Sequence, residues 1–199
     1  RRSSDLSGAR LPTVREVSRR LGLSPTTVSD AWQRLDDGIL TWVGTSLRSP
    51  QWNFLVTDLS SLGGLAVTVT ICVVAAVLLV LARDPAAALH LGLVSYGGFR
   101  IAAWAKTWFD RPRPEIIPRL AQAGGMSFPS GHAVTAASIY LTLALLAARH
   151  YRRPAARATL FALAGLLIFI VAFSRVYLGV HYPTDVLSGL KTTVPQIQI

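Results

Sequence analysis

The chain has 199 residues and a formal net charge of +10, from 20 Lys and Arg against 10 Asp and Glu, which leaves room for one domain and a small appendage. Hydrophobic residues make up 51% and charged residues only 15%, a balance that argues against an ordinary soluble globule and for a polytopic membrane protein. Cys72 is the only cysteine, so neither an internal disulfide nor a cysteine metal site is available.

In chain order, residues 11–35 come first and predict two short helices. Thr13 is placed to cap the first, Gly22 to end it, and Ser24 to cap a second that begins at Pro25. This stretch resembles the helix-turn-helix of GntR-type transcription regulators. The resemblance implies that Arg15, Arg19, Arg20, Thr26 and Thr27 face phosphates or bases. It covers only part of a winged helix, since no wing hairpin follows Gly38. The next stretch, Asp36 to Leu59 with Trp42, Trp52 and Phe54, reads as amphipathic helices lying on a membrane surface.

Four apolar runs follow. Leu62–Leu81 has no charge and is long enough to cross a hydrocarbon core of ~30 Å. Leu89–Trp104 is interrupted by Gly97, Gly98 and Arg100, while Ala133–Ala148 and Thr159–Ser174 are slightly short but clean. Between the last two lie Arg149, His150, Arg152, Arg153 and Arg157, a basic loop that the positive-inside rule assigns to the cytoplasm. The helix after His132 then runs inward and the helix before Arg175 returns outward. Residues 88–104 run outward and 62–81 inward, leaving everything before residue 60 outside, where a DNA-reading segment would face away from DNA.

Three clusters carry the chemistry. Lys106 is separated by six residues from Arg113-Pro114; Pro129-Ser130-Gly131-His132 opens a helix; and Ser174-Arg175 precedes His181 and Asp185 by fixed intervals. The topology brings all three to one face. Lys106, Arg113 and Arg175 supply fixed positive charge for nonbridging phosphoryl oxygens. Gly131 allows close backbone approach, the first amides of the helix attract anions, and Ser130 adds a donor. Pro183 suits the first turn of a helix, which puts Asp185 where its carboxylate can reach back to one nitrogen of His181.

These clusters resemble the signature of the type 2 phosphatidic acid phosphatase superfamily, which also contains the vanadium haloperoxidases. No motif position is substituted, and the resemblance spans about 37–190. It implies that His181 attacks phosphorus to form a phosphohistidine, oriented by Asp185, and that His132 protonates the leaving oxygen and later activates water. It further implies phosphate binding by Lys106, Arg113, Ser130, Gly131 and Arg175, with no metal and no cofactor. Arg111 falls outside the pattern and reads as a solvated or headgroup-binding cation. Trp104, Trp108 and Phe109 fit an interfacial aromatic belt.

The expectation is therefore an all-α polytopic membrane bundle with about four clear spanning helices. Residues 1–36 form a helix-turn-helix-like fragment and 37–199 a membrane phosphatase domain. The family's first spanning helix is missing or truncated, and its last is shortened or replaced after about residue 190, where Pro195 breaks the sequence. With Arg1 first and Met126 the sole methionine, the chain reads as a fragment or a fused product. The implied function is hydrolysis of a lipid phosphate or diphosphate, of the undecaprenyl diphosphate, phosphatidic acid or phosphatidylglycerol phosphate type. It would occur at the outer face of a bacterial plasma membrane, with membrane lipids as partners. Three alternatives stand beside it: a vanadate-dependent haloperoxidase, a DNA-binding regulator fragment on a membrane anchor, and a nonenzymatic lipid binder, which the intact motif positions count against. Nucleic acid would enter only through the N-terminal segment, against the topology.

Overall fold

The computed structural model describes residues 14–193; the expected cap at Thr13 and the break at Pro195 lie outside them. Among the described residues the chain is helical with no strand: α1 Val14–Leu21, α2 Pro25–Trp42, α3 Pro50–Ser61, α4 Leu65–Leu81, α5 Pro85–Phe109, α6 Gly131–Ala148, α7 Pro154–Tyr177 and α8 Pro183–Thr193, with a π-helical turn at Val43–Leu47. It divides into two compact units, residues 1–38 and 39–199.

In the first unit, α1 ends where Gly22 takes a left-handed φ of +66°, a conformation that costs glycine nothing. Ser24 Oγ accepts a hydrogen bond from the Thr27 amide at 3.1 Å, which caps α2. The local punctuation expected at Gly22, Ser24 and Pro25 is therefore present.

In the second unit α6 is the central post, packing against α4, α5, α7 and α8. Its buried positions are mostly small: Ala133, Ala136, Ala137, Ser138, Ala144 and Ala148. Small side chains let neighbouring backbones approach closely where lipid offers no hydrophobic drive for helix association. At the closest approach of α5, a side chain on Gly98 would collide with Ser138. Over its 18 residues 61% is buried, against 22% of the most apolar 18-residue stretch of α7, which turns Leu163, Leu166 and Phe169 outward. The outward face of α4 is also apolar, with Leu65, Val69, Val73, Val77 and Leu81. Such a ring of outward apolar side chains is suited to lipid.

Two helices, Gly131–Ala148 and Pro154–Tyr177, are each long and apolar enough to cross a membrane. The pair Pro50–Ser61 and Leu65–Leu81, bent by 43°, forms a third crossing if taken together. This differs from the four runs expected from sequence for identifiable reasons. α4 alone has 17 residues, and the 25-residue α5 carries Arg100 and Lys106. Trp104, Trp108 and Phe109 on α5 face outward near its C-terminal end.

The C-terminal ends of α5 and α7 and the N-terminal ends of α6 and α8 meet at one end of the bundle. The basic connection Arg149–Arg153 joins α6 to α7 at the other end. The long loop 110–130 is pinned over the site end by Ser127 N to Arg111 O at 2.8 Å and Leu120 N to Leu178 O at 3.0 Å. Arg48 adds a clamp, donating from Nε to Tyr177 O at 2.8 Å and from Nη1 to Pro118 O at 2.7 Å.

Candidate active site

Each cluster read from the sequence arrives by a different route. Lys106 stands in the last turn of α5, where a cation complements the helix dipole, and Nζ donates to Met126 O at 2.5 Å. Ser130 is the N-cap of α6 and is wholly buried, its Oγ having no hydrogen-bond partner among the described residues. A side chain at Gly131 would meet nothing within 4 Å, so protein packing does not require glycine there; the space before the α6 N-terminus is open. The Ser130 amide donates to Asp185 O at 3.1 Å, tying the start of α6 to the start of α8. Arg175 lies in the last turn of α7 with only 6% of its surface exposed.

The turn after α7 presents His181. Gly179 takes a φ of +71°, and Val180 N returns to Arg175 O at 3.2 Å, so the chain reverses directly beneath Arg175. Pro183 then starts α8 and Asp185 sits in its first turn, as expected. Asp185 Oδ2 accepts from Tyr182 N at 2.9 Å and from Ser127 Oγ at 2.5 Å, and lies 3.6 Å from His181 Nδ1. On the other side of the ring, Arg113 Nη1 lies 3.2 Å from His181 Nε2. A guanidinium can only donate, so Nε2 is the unprotonated nitrogen and the proton resides on Nδ1, toward Asp185. Arg113 is itself fixed by donation to three carbonyls, Gly124, Gly125 and Val180, at 2.7 to 3.0 Å.

These contacts set the charge states. Burial pushes His181 down to about 4, against the upward pull of Asp185 and with the help of Arg113 and Arg175, so the ring is neutral near pH 7. Burial alone would push the Asp185 carboxyl up. His181, Ser127, Arg111 and the Tyr182 amide together hold it below the ordinary carboxylate value. His132, the second residue of α6, is within electrostatic range of Arg175, His181, Arg113 and Lys106. All eight residues picked out from the sequence thus lie at this one end of the bundle.

Three further residues were missed or misread. Arg111 is not a free surface cation. Nη1 donates to Asp185 Oδ1 and to Thr184 Oγ1, both at 2.7 Å, and its guanidinium stacks 4.0 Å over the Tyr182 ring. Reading it as solvated followed from its place outside the spacing; the fold of the 110–130 loop turns it inward onto α8. Ser127, next to the second cluster, donates to the Asp185 carboxylate, and its only sequence signal is that adjacency. Ser60, on α3, accepts from Arg175 Nη1 at 2.7 Å across 115 residues, with no sequence signal at all.

The sequence model of the PAP2 superfamily matches residues 85–193, which include every one of the eight. The chain belongs to the PAP2 superfamily. It is 31% identical over 164 residues to phosphatidylglycerophosphatase B of Bacillus subtilis (strain 168), covering 82% of this chain and 80% of that one. A shorter likeness, 37% over 83 residues, covers 40% of this chain and 38% of the decaprenylphosphoryl-5-phosphoribose phosphatase of Mycolicibacterium smegmatis (strain ATCC 700084 / mc(2)155). Among solved structures, the transmembrane PAP2 type phosphatidylglycerolphosphate phosphatase from Bacillus subtilis superposes with a TM-score of 0.78 at 28% identity. That match covers 84% of this chain and 83% of that one. LpxE of Aquifex aeolicus gives 0.63 at 25% identity, over 80% and 90%. These PAP2 relatives are lipid phosphatases, and this PAP2 protein is a membrane protein of the lipid phosphate phosphatase type. The PAP2 match does not reach α1 or α2, and nothing in these likenesses supports a nucleic-acid partner.

Proposed function

We propose that this protein hydrolyses a terminal phosphate of a membrane lipid through a phosphohistidine on His181, at the extracytoplasmic face of a bacterial plasma membrane. The observation that carries the reading is the setting of His181. The ring is buried, with Nδ1 3.6 Å from Asp185 Oδ2 and Nε2 3.2 Å from Arg113 Nη1, contacts that favour a neutral ring with its proton on Nδ1. An imidazole in that tautomer is a nucleophile that needs no prior deprotonation.

In the first step Arg113 Nη1 shifts its donation from Nε2 to a nonbridging oxygen of the bound phosphoryl group, the freed Nε2 lone pair attacks phosphorus, the P–O bond to the lipid breaks, and protonated His132 gives its proton to the departing oxygen. The imidazolium formed at His181 is stabilised by Asp185. Lys106, Arg113, Arg175, Ser130 Oγ and the α6 N-terminal amides neutralise the nonbridging oxygens. Two of these donors, Ser130 Oγ and Arg175 Nε, are buried with no partner among the described residues, which is where an incoming phosphoryl oxygen would satisfy them. In the second step His132 takes a proton from water, the water oxygen bonds to phosphorus, the P–N bond breaks and inorganic phosphate leaves. No step routes through a metal.

Among substrates, phosphatidylglycerol phosphate ranks first because the relative covering most of the chain is named for it. Phosphatidic acid and undecaprenyl diphosphate share the reacting group. The site end lies opposite the basic Arg149–Arg153 connection, which supports the outward assignment.

The test is phosphate release from each lipid in detergent with EDTA, comparing wild type with His181→Ala. Acid-labile, base-stable phosphate on the quenched protein should appear in the wild type and vanish in the variant. Release that persists in folded His181→Ala would sink the reading, and loss of wild-type activity in EDTA would sink its metal independence. Orthovanadate- and peroxide-dependent halide oxidation would favour the haloperoxidase alternative instead.

A further inference from the structure

Arg175 is the most buried cation of the site, and burying a guanidinium is costly unless its donors are met. Among the described residues its hydrogen-bond partner is Ser60 Oγ, at 2.7 Å from Nη1, while Nε is buried with none. Ser60 is itself 3% exposed. Its behaviour differs from that of the neighbouring hydroxyls. Thr57 and Ser61 fold back onto their own helix, donating to Asn53 O at 2.8 Å and Asp58 O at 2.6 Å. That is the usual habit of hydroxyls in helices. Ser60 instead reaches out of α3 to α7.

The surrounding joint holds Ser60 in place. Tyr140 Oη donates to Leu62 O at 2.7 Å, in the break between α3 and α4. Gly63 in the same break presses on α6: a Cβ there would lie 3.3 Å from both the Cβ and the carbonyl of His132. The bend of 43° between α3 and α4 is thus seated against both His132 and Arg175.

We propose that Ser60 is a further positioning residue of the phosphoryl site, which holds Nη1 of Arg175 and thereby turns Nε toward the phosphoryl oxygens. This extends the site to a helix outside residues 85–193 and rests on the phosphatase reading given above. Because Ser60 acts through a group that binds phosphoryl oxygens, its loss weakens every phosphate-shaped ligand and not only the lipid.

The experiment compares wild type, Ser60→Ala, Ser60→Thr and the α3 control Thr57→Ala, in detergent. Three quantities are read: kcat/KM on phosphatidylglycerol phosphate, the inhibition constants of orthovanadate and inorganic phosphate, and the melting temperature. Ser60→Ala should lower kcat/KM and raise both inhibition constants by about tenfold, the scale of a hydrogen bond to a charged group. Ser60→Thr, which keeps the hydroxyl, should recover most of that loss. Thr57→Ala should match wild type, and melting temperatures should agree within a few degrees. Wild-type inhibition constants in Ser60→Ala would overturn the proposal. So would equal losses in both Ser60 variants accompanied by early melting, which would mark Ser60 as packing alone. A wild type that releases no phosphate would instead overturn the phosphatase reading, and the role of Ser60 with it.

Discussion

Replacing Arg111 by alanine tests whether the His181–Asp185 pair depends on a residue outside the motif spacing. Arg111 holds the turn that presents His181 through Asp185 Oδ1, Thr184 Oγ1 and the Tyr182 ring. Asp185 is fully buried and the Arg111 side chain 23% exposed, so the pair is closer to a buried than to a surface ion pair. Breaking a buried pair by removing one partner typically costs about 3–5 kcal/mol. Two features reduce that here. Arg111 is partly hydrated, and Asp185 keeps the Ser127 and Tyr182 donors on its other oxygen. A loss of about 2–3 kcal/mol follows, or roughly 30- to 150-fold in kcat/KM if it falls on the transition state. The sign with pH is also set. Arg111 is one of the groups holding the Asp185 carboxyl below 3.8, so without it Asp185 takes its proton at higher pH. The acid limb of kcat/KM should therefore move upward. Arg111→Lys keeps the charge but loses the planar fork and stack, and should fall between the two. The assay is phosphate release from lipid in detergent between pH 4 and 8. An Arg111→Ala enzyme with wild-type kcat/KM and an unmoved acid limb would refute the reasoning.

Two further outcomes follow from the same contacts. His181 has a folded value near 4 against 6.5 when unfolded, so the unfolded chain binds a proton that the folded chain refuses. Stability should be full above pH 6.5 and fall by about 3 kcal/mol as pH drops toward 4, and His181→Gln should flatten that part of a pH-melting profile. Gly179→Ala should lower the melting temperature. It places a side chain at φ +71°, 2.7 Å from Arg48 Nη2 and 3.2 Å from Pro118 O, with a cost of about 1–2 kcal/mol from the backbone alone. A melting curve identical to wild type would refute that account.

Most of the eight residues picked out by motif spacing fall at or beside a helix end. Helix ends are local features: Ser130 and Gly131 at the start of α6, and Pro183 with Asp185 at the start of α8, announce themselves within a few residues. Apolar run length likewise marked α6 and α7, because the bilayer thickness is a constraint that each helix meets by itself. Arg111, Ser127 and Ser60 were not legible in the same way. Arg111 is set by how the 110–130 loop closes over α8, and nothing in an Arg-Pro-Arg-Pro stretch says which arginine faces in. The Ser60–Arg175 bond joins residues 115 apart, through a bend between α3 and α4 that only packing against α6 defines. Local sequence marked the candidate phosphoryl-site residues and the helix ends beside them, since caps, dipoles and span lengths act over a turn or two. Which way each charged group points, and what holds it there, depends on how the helices and the 110–130 loop pack. Hydrogen bonds fix orientation at about 3 Å between elements whose approach no local signal encodes.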